Sequence, residues 1–271
     1  MTSRLDTALA ERGLARSRTH AATLIADGLV TVDGRPVVKP STAVSADAVL
    51  EVAATDHYVS RAAHKLIAAL DTFGVAVVGR VALDMGASTG GFTQVLRERG
   101  ADPVIAVDVG HDQLAAVVRD DPGVVVVEGF NVRYMTPASL ADASGVAAAP
   151  AVITGDLSFI SLAHVLPAAR DVAAAGADLI LLIKPQFEAG RTAVKGGLVT
   201  DAATRADAVA GVLWSAWDAG LGTCGVIASP IVGTHGNAEY LAHLRAMPDD
   251  LGRATNPTEW LSTVNRLTGS Q

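Results

Sequence analysis

The sequence holds a single cysteine, Cys224, so it has neither a disulfide framework nor a cysteine-clustered zinc site. Such a chain suits a reducing compartment, with the cytoplasm as the expected location. It also lacks an apolar run near the roughly 18 residues that a membrane-spanning helix requires. Its longest apolar stretches, 172–177 and 179–183, are split by Asp178 and closed by Lys184-Pro185. Arg4, Asp6 and Glu11 stand where an export signal would need an apolar segment, so no such signal is expected. Positive charge is not in excess either: the net charge is −7, which argues against generic polyanion binding. Nothing in the pattern calls for a metal.

The placement of charge qualifies that sum. Residues 1–65 carry Arg4, Arg12, Arg16, Arg18, Arg35, Lys39, Arg61 and Lys65 against seven acidic side chains, so this segment is near neutral and the remainder carries the negative excess. Contact with nucleic acid, if the chain makes any, should lean on this segment, where Arg12, Arg16 and Arg18 flank a turn and can grip phosphates in a salt-sensitive way.

With 50% hydrophobic residues in 271, the chain can fill the cores of one large α/β domain and one small domain. In residues 3–53, Leu5, Leu9 and Leu14 predict one helical face ending near Gly13. Ser17 caps a second helix through Leu24 and Ile25 to Gly28, and Asp33-Gly34 marks a hairpin turn. Beyond a helix over 62–73, apolar strands at 81–84, 103–108, 124–128, 152–156 and 179–183 alternate with helices at 92–99, 113–119, 162–175 and 202–217. That alternation predicts a parallel sheet covered on both faces. Segments 225–230 and 238–245 can supply closing strands, and Trp260, Leu261 and Val264 suggest a terminal helix.

The first strand of this sheet runs into Asp84-Met85-Gly86-Ala87-Ser88-Thr89-Gly90-Gly91-Phe92. Glycines there let backbone approach a ligand at the carboxyl ends of the strands. Dinucleotide enzymes use such loops too, and two carboxylates decide between the cofactors. Asp108 ends the second strand, where an acidic group takes ribose hydroxyls. Asp84, directly before the loop, would repel a pyrophosphate but attract the ammonium and sulfonium of S-adenosylmethionine. The third strand is followed by Asn131, placed to reach an adenine. The fourth ends at Asp156 and the fifth at Lys184. Enzymes that use this cofactor on exocyclic amines carry Asn/Asp-Pro-Pro-aromatic after the fourth strand, and here Leu157-Ser158 replaces the prolines. A lysine beside a carboxylate suits a hydroxyl nucleophile, accepting its proton or stabilising the alkoxide.

These residues resemble the TlyA (haemolysin A-like) family of ribosomal RNA 2′-O-methyltransferases. The resemblance rests on 12–18, 59–61, 83–93, Asp156-Leu157-Ser158-Phe159-Ile160-Ser161, Lys184-Pro185-Gln186-Phe187-Glu188 and Gly236-Asn237-Ala238-Glu239-Tyr240. It implies an S4-like RNA-binding domain of α+β type over 1–57, a linker over 58–62 and, over 63–271, an FtsJ-like domain. That domain would have the Rossmann-like class I α/β fold, with a seven-stranded, mostly parallel sheet. It implies S-adenosylmethionine as cofactor, bound by Asp84, Gly86, Ala87, Ser88, Thr89, Gly90, Gly91, Phe92, Asp108, Asn131 and Asp156. It also implies a catalytic tetrad of Lys65, Asp156, Lys184 and Glu239, of which Lys65 and Glu239 are named by the resemblance alone. RNA contact falls to Arg4, Arg12, Arg16, Arg18 and Arg61, and the partners are ribosomal RNA and ribosomal subunits. The substrate is a cytidine ribose, and a monomer is favoured with the oligomeric state left open. A membrane-active haemolysin, suggested by the family's historical name, would need a spanning segment or a strongly basic amphipathic helix, and neither is visible. A non-catalytic RNA-binding module that keeps the fold is disfavoured by intact Asp84, Asp156 and Lys184.

Overall fold

The computed structural model describes residues 2–15, 17–26, 28–52, 57–190, 194, 196–233, 236–246 and 256–270. The chain divides into two compact units, Met1–Tyr58 with Ile231–Gly236, and Val59–Pro230 with Asn237–Gln271.

In the first unit, β1 (Thr2–Arg4) leads into α1 (Leu5–Glu11) and α2 (Arg18–Ala26), followed by β2 (Val30–Val32), β3 (Arg35–Pro36), β4 (Ala43–Ser45) and β5 (Leu50–Val52). β3, β2 and β5 form one antiparallel sheet, and β1 pairs with β4. Leu5, Leu9, Ala21, Ile25 and Val30 are fully enclosed and make the core. Asp33 and Gly34 both take positive φ, 51° and 74°, the left-handed pair that a two-residue hairpin turn requires. Leu14 does not join the helical face as expected. α1 stops at Glu11, and Leu14 lies beyond it, exposed.

The second unit opens with α3 (Ala63–Phe73), then alternates β6 (Ala82–Met85), α4 (Gly91–Glu98), β7 (Val104–Val107), α5 (Ala116–Arg119) and β8 (Val124–Val127). It continues through α6 (Pro137–Ser144), β9 (Val152–Gly155), α7 (Leu166–Val172), β10 (Asp178–Ile183), α8 (Pro185–Glu188) and α9 (Ala202–Asp218). β11 (Leu221–Ala228), β12 (Tyr240–Ala246) and α10 (Leu261–Thr268) close it. One seven-stranded sheet has the order β11-β12-β10-β9-β6-β7-β8, and β12 runs antiparallel to both of its neighbours. β6, β7, β9 and β10 are buried at every residue, which is why they read as unbroken apolar runs. α6 has no counterpart in the sequence reading. It is short, and a capping box between Thr136 and Ser139 starts it rather than a long apolar period. The helix expected over 162–175 is a 3-10 turn at Leu162–His164 followed by α7, because Pro167 at the start of α7 cannot donate to the preceding turn.

The strand order reverses at β6, which pairs with β7 on one side and β9 on the other. In open α/β sheets the crevice beyond the carboxyl ends at this point is where ligands sit. The loops leaving β6 and β9 are the ones that carry Gly86 and Asp156.

Candidate active site

Two adjoining cavities occupy that crevice. One is lined by Ser60, Ala62, Gly86, Ala87, Ser88, Thr89, Gly91, Phe92, Asp156, Ser158 and Lys184. The other, about 350 Å³, is lined by Gly86, Ser88, Asp108, Val109, Gln113, Phe130, Val132, Asp156, Leu157, Ser158 and Phe159. Gly86, Ser88, Asp156 and Ser158 face both. Gly86 has φ 79°, and a Cβ there would meet Leu157 Cδ2 at 2.9 Å and the carbonyl oxygen of Asp156 at 3.1 Å, so this position takes only glycine. Asp108 accepts from the N–H of Ser88 and of Gly110, each at 2.8 Å, so its carboxylate stands fixed at the groove edge.

Three expected cofactor contacts are placed differently. Gly90 faces neither cavity and packs against Leu114 and Val118 instead. Asn131 caps the following turn: its Oδ1 accepts from the N–H of Arg133 at 3.0 Å, which leaves its Nδ2 for a ligand, while its neighbours Phe130 and Val132 face the groove. Asp84 is fully enclosed and lies beneath the loop, accepting from Thr93 Oγ1 at 2.7 Å and Thr154 Oγ1 at 2.9 Å. Its influence on a ligand is therefore that of a charge under the floor rather than a direct contact.

Burial pushes the Asp84 carboxyl up to about 6, against the two hydroxyl hydrogen bonds that favour its charged form. A folded-state pKa above the unfolded value means that this group's contribution to stability is fully present below roughly pH 3.9 and is lost as pH rises through about 6. Asp84→Asn should therefore raise the melting temperature relative to the parent by a few degrees at pH 8 and by less at pH 5, measured by calorimetry at both pH values. An equal difference at the two would show that the charge is not what the fold pays to hold.

Beyond the loop, four charged side chains alternate in sign. Lys184 Nζ stands 2.6 Å from Asp156 Oδ1, Lys65 Nζ stands 3.8 Å from Asp156 Oδ2, and Lys65 Nζ donates to Glu239 Oε2 at 2.6 Å. Lys65, Lys184 and Glu239 are 6, 9 and 4% exposed. Desolvating such a row costs several kcal/mol per ion, and only close pairing of the kind seen here offsets it. The sheet explains the meeting. The antiparallel register of β10 and β12 pairs Ile183 with Tyr240, which sets Lys184 across from Glu239, and α3 brings in Lys65. Asp156 Oδ1 is buried and, among the described residues, receives no aligned hydrogen bond, so its contact with Lys184 is an ion pair. Lys184 Nζ also donates to Ser158 Oγ at 2.8 Å.

Segment 58–62, read as a linker, is partly packed on the second unit: the Val59 N–H donates to Gln94, and Ser60 lines the site. Arg61 is half-buried. Of the arginines assigned to RNA, Arg4 is held by Asp6 at 2.8 Å, and Arg18 reaches the same carboxylate at 3.5 Å. The guanidinium of Arg12 donates to the backbone carbonyls of Ser45, Ala46 and Ala48 and so braces the turn between β4 and β5. Arg16 lies outside the described residues. Among the described residues no cluster of histidine, cysteine and carboxylates could hold a metal ion. Sequence reasoning gave no role to Ser60, Ser158, Phe130 or Phe159. Phe159 is 91% exposed at φ 64°, with its ring 5.2 Å from that of Phe187. Its signal in the sequence was an aromatic beside a polar strand end, which is as common in cores as in sites.

Residues 58–246 match the model of the FtsJ-like methyltransferase family and residues 3–50 that of the S4 domain. A Mycobacterium tuberculosis protein named 16S/23S rRNA (cytidine-2'-O)-methyltransferase TlyA is 49% identical over 250 residues, 91% of each chain. Bacillus subtilis has a putative rRNA methyltransferase, YqxC, 42% identical over 89% of this chain and 85% of that one. Among solved structures, a putative hemolysin from Streptococcus thermophilus superposes with a TM-score of 0.75 and 34% identity, covering 99% of this chain and 96% of that one.

Proposed function

Because this chain belongs to the FtsJ-like methyltransferase family, in its TlyA branch with an N-terminal S4 domain, we propose that it transfers a methyl group from S-adenosylmethionine to the ribose 2′-hydroxyl of cytidine in 16S and/or 23S ribosomal RNA. The observation that carries this reading is the row Glu239–Lys65–Asp156–Lys184, which ends in an amine at the cavity beside the glycine loop. The substrate is the one named for the Mycobacterium tuberculosis relative, and we assign the chain to the cytoplasm, beside the ribosome that such a substrate implies. Among the described residues no helix is long and apolar enough to cross a membrane.

The donor set fits the cofactor. The groove of about 350 Å³ falls within the usual size of small-molecule sites. Asp108 stands at its edge for a ribose diol, with Phe130 and Val132 as the apolar wall for a base. Gly86 lets backbone come close. The carboxylate of Asp156, whose Oδ1 is held by Lys184 through charge rather than an aligned hydrogen bond, and the Asp84 carboxylate beneath the loop make the methionine end a place for positive charge. When bound there, S-adenosylmethionine supplies an electrophilic methyl group on a sulfonium.

The chain's own residues do the rest. Lys184 Nζ takes the proton of the ribose hydroxyl once it has released its own to solvent, or as the ammonium holds the oxygen while negative charge develops on it. Asp156 balances the resulting ammonium at 2.6 Å, and Lys65 with Glu239 fixes Asp156 from the far side, so that no group in the row needs to move. Arg4, Arg12, Arg16, Arg18 and Arg61 are the cations we assign to RNA. Residues 1–57 form the RNA-binding part, 58–62 join it to the rest, and 63–271 carry the chemistry. Arg12 acts there at least in part by shaping the turn it braces.

The direct test incubates the purified chain and labelled S-adenosylmethionine with ribosomal subunits from a strain lacking the mark, followed by mass spectrometry of nuclease fragments. Ribose-methylated cytidine, in one subunit RNA or in each, is the expected product. Label on a base, or none, would refute the assignment.

A further inference from the structure

The loop between β9 and the 3-10 turn at Leu162–His164 is tied at two points to the segment that follows β10. Lys184 donates to Ser158 Oγ at 2.8 Å. Three residues on, Ser161 Oγ donates to Glu188 Oε2 at 2.6 Å, and the Leu162 N–H donates to Glu188 Oε1 at 2.9 Å. Between the ties lies Phe159, in the left-handed region at φ 64°, a conformation that costs about 1 kcal/mol or more for a residue with a side chain. The loop accepts that cost, and the result is that the Ser158 hydroxyl is presented to Lys184. Ser158 also lies on the wall shared by both cavities.

Among the described residues Lys184 Nζ has two polar contacts, and they differ in kind. Asp156 Oδ1 is close but off the hydrogen-bond direction, so it fixes the charge without fixing rotation about Cε–Nζ. Ser158 Oγ is the aligned contact. Bonded to Cε and with one N–H directed at Ser158, the tetrahedral nitrogen has the directions of its other two positions set, one of them on the side of Asp156. The other is left to meet a substrate oxygen, whether it carries a proton or a lone pair.

We propose that Ser158 is a positioning residue for the methyl transfer: its hydroxyl sets the direction in which Lys184 faces the ribose oxygen. This rests on the function proposed above. Ser158 acts through Lys184, so its loss should slow turnover without weakening either ligand, and any hydroxyl at this position should restore it. Ser158 is exposed and in a loop, so substitution there does not disturb a core.

The experiment measures kcat and KM for ribosomal subunits, together with S-adenosylmethionine affinity by calorimetry, for the parent, Ser158→Ala and Ser158→Thr. Expected are a fall in kcat of about tenfold or more for Ser158→Ala, from a lost hydrogen bond to a charged group. KM, cofactor affinity and melting temperature should stay near the parent, with most of kcat recovered in Ser158→Thr. A parent that turns over while Ser158→Ala keeps its kcat, or loses only KM or cofactor affinity, would overturn this proposal and leave the function standing. A parent that transfers no methyl group would overturn both.

Discussion

Lys184→Ala should lower kcat for methyl transfer by about 10²–10⁴, the usual worth of a positioned proton-transfer group, while calorimetry finds S-adenosylmethionine bound nearly as tightly as by the parent. The separation follows from where the residue sits. Its amine reaches Asp156 and Ser158 at the tetrad end of the crevice, whereas Asp108, Phe130 and Val132 hold the other groove without it. Asp156 keeps Lys65 at 3.8 Å in the variant, so its charge is not stranded and the site should survive the change. Lys184→Arg should not restore activity, because a planar, permanently charged guanidinium can neither accept a proton nor occupy the same tetrahedral position. Turnover within severalfold of the parent in Lys184→Ala would remove Lys184 from the chemistry, and in Lys184→Arg it would leave this position only the role of holding the developing charge.

Asp178→Ala, at the opposite end of the sheet, should instead cost stability. Asp178 is buried at the start of β10. It accepts from Arg80 at 2.8 Å on one oxygen, and from Arg245 at 2.8 Å and His243 at 2.9 Å on the other. Burial pushes its pKa up, but the hydrogen bonds from His243, Arg245 and Arg80 outweigh this and hold the carboxyl well below the usual carboxylate range. Its contribution is then present above the unfolded pKa of roughly 3.9 and lost as pH falls through the lower folded value. Removing it leaves two guanidiniums without their shared partner. Both guanidiniums left behind reach solvent, so the loss is that of charge-assisted hydrogen bonds to a buried carboxylate, about 1.5–3 kcal/mol, which lowers the melting temperature by roughly 5 °C in a domain this size. The deficit relative to the parent should shrink on acidification toward pH 3. A melting temperature unchanged at pH 7 would show that the cluster is ornamental to the fold.

The parallel core was legible because its strands are buried on both faces. The runs around 81–84, 104–107, 152–156 and 179–183 carry their burial in composition, and a strand rich in apolar residues between helices has few other places to go. Gly86 was legible for a related reason, since a polar, glycine-containing turn at a strand's carboxyl end implies close approach of something. Asp84 was noticed for its charge but assigned a contact that Thr93 and Thr154 take instead. Asn131, legible as a polar residue after the third strand, caps a turn through Oδ1, and the alternation around it turns Phe130 and Val132 toward the groove, which no polar pattern signals.

What the sequence determined by itself was therefore the order and kind of elements, the turn that opens the site, and the polar residues at strand ends, all consequences of chemistry local in the chain. Family likeness added Lys65 and Glu239 as names, without a reason for them. The tertiary structure supplied the reason: β12 enters antiparallel beside β10, so the residue preceding β12 lies across from the one following β10, and a helix begun over a hundred residues earlier lays its lysine between them. Such a meeting is set by sheet register and helix packing, which depend on contacts far apart in the chain and leave no periodic trace in it.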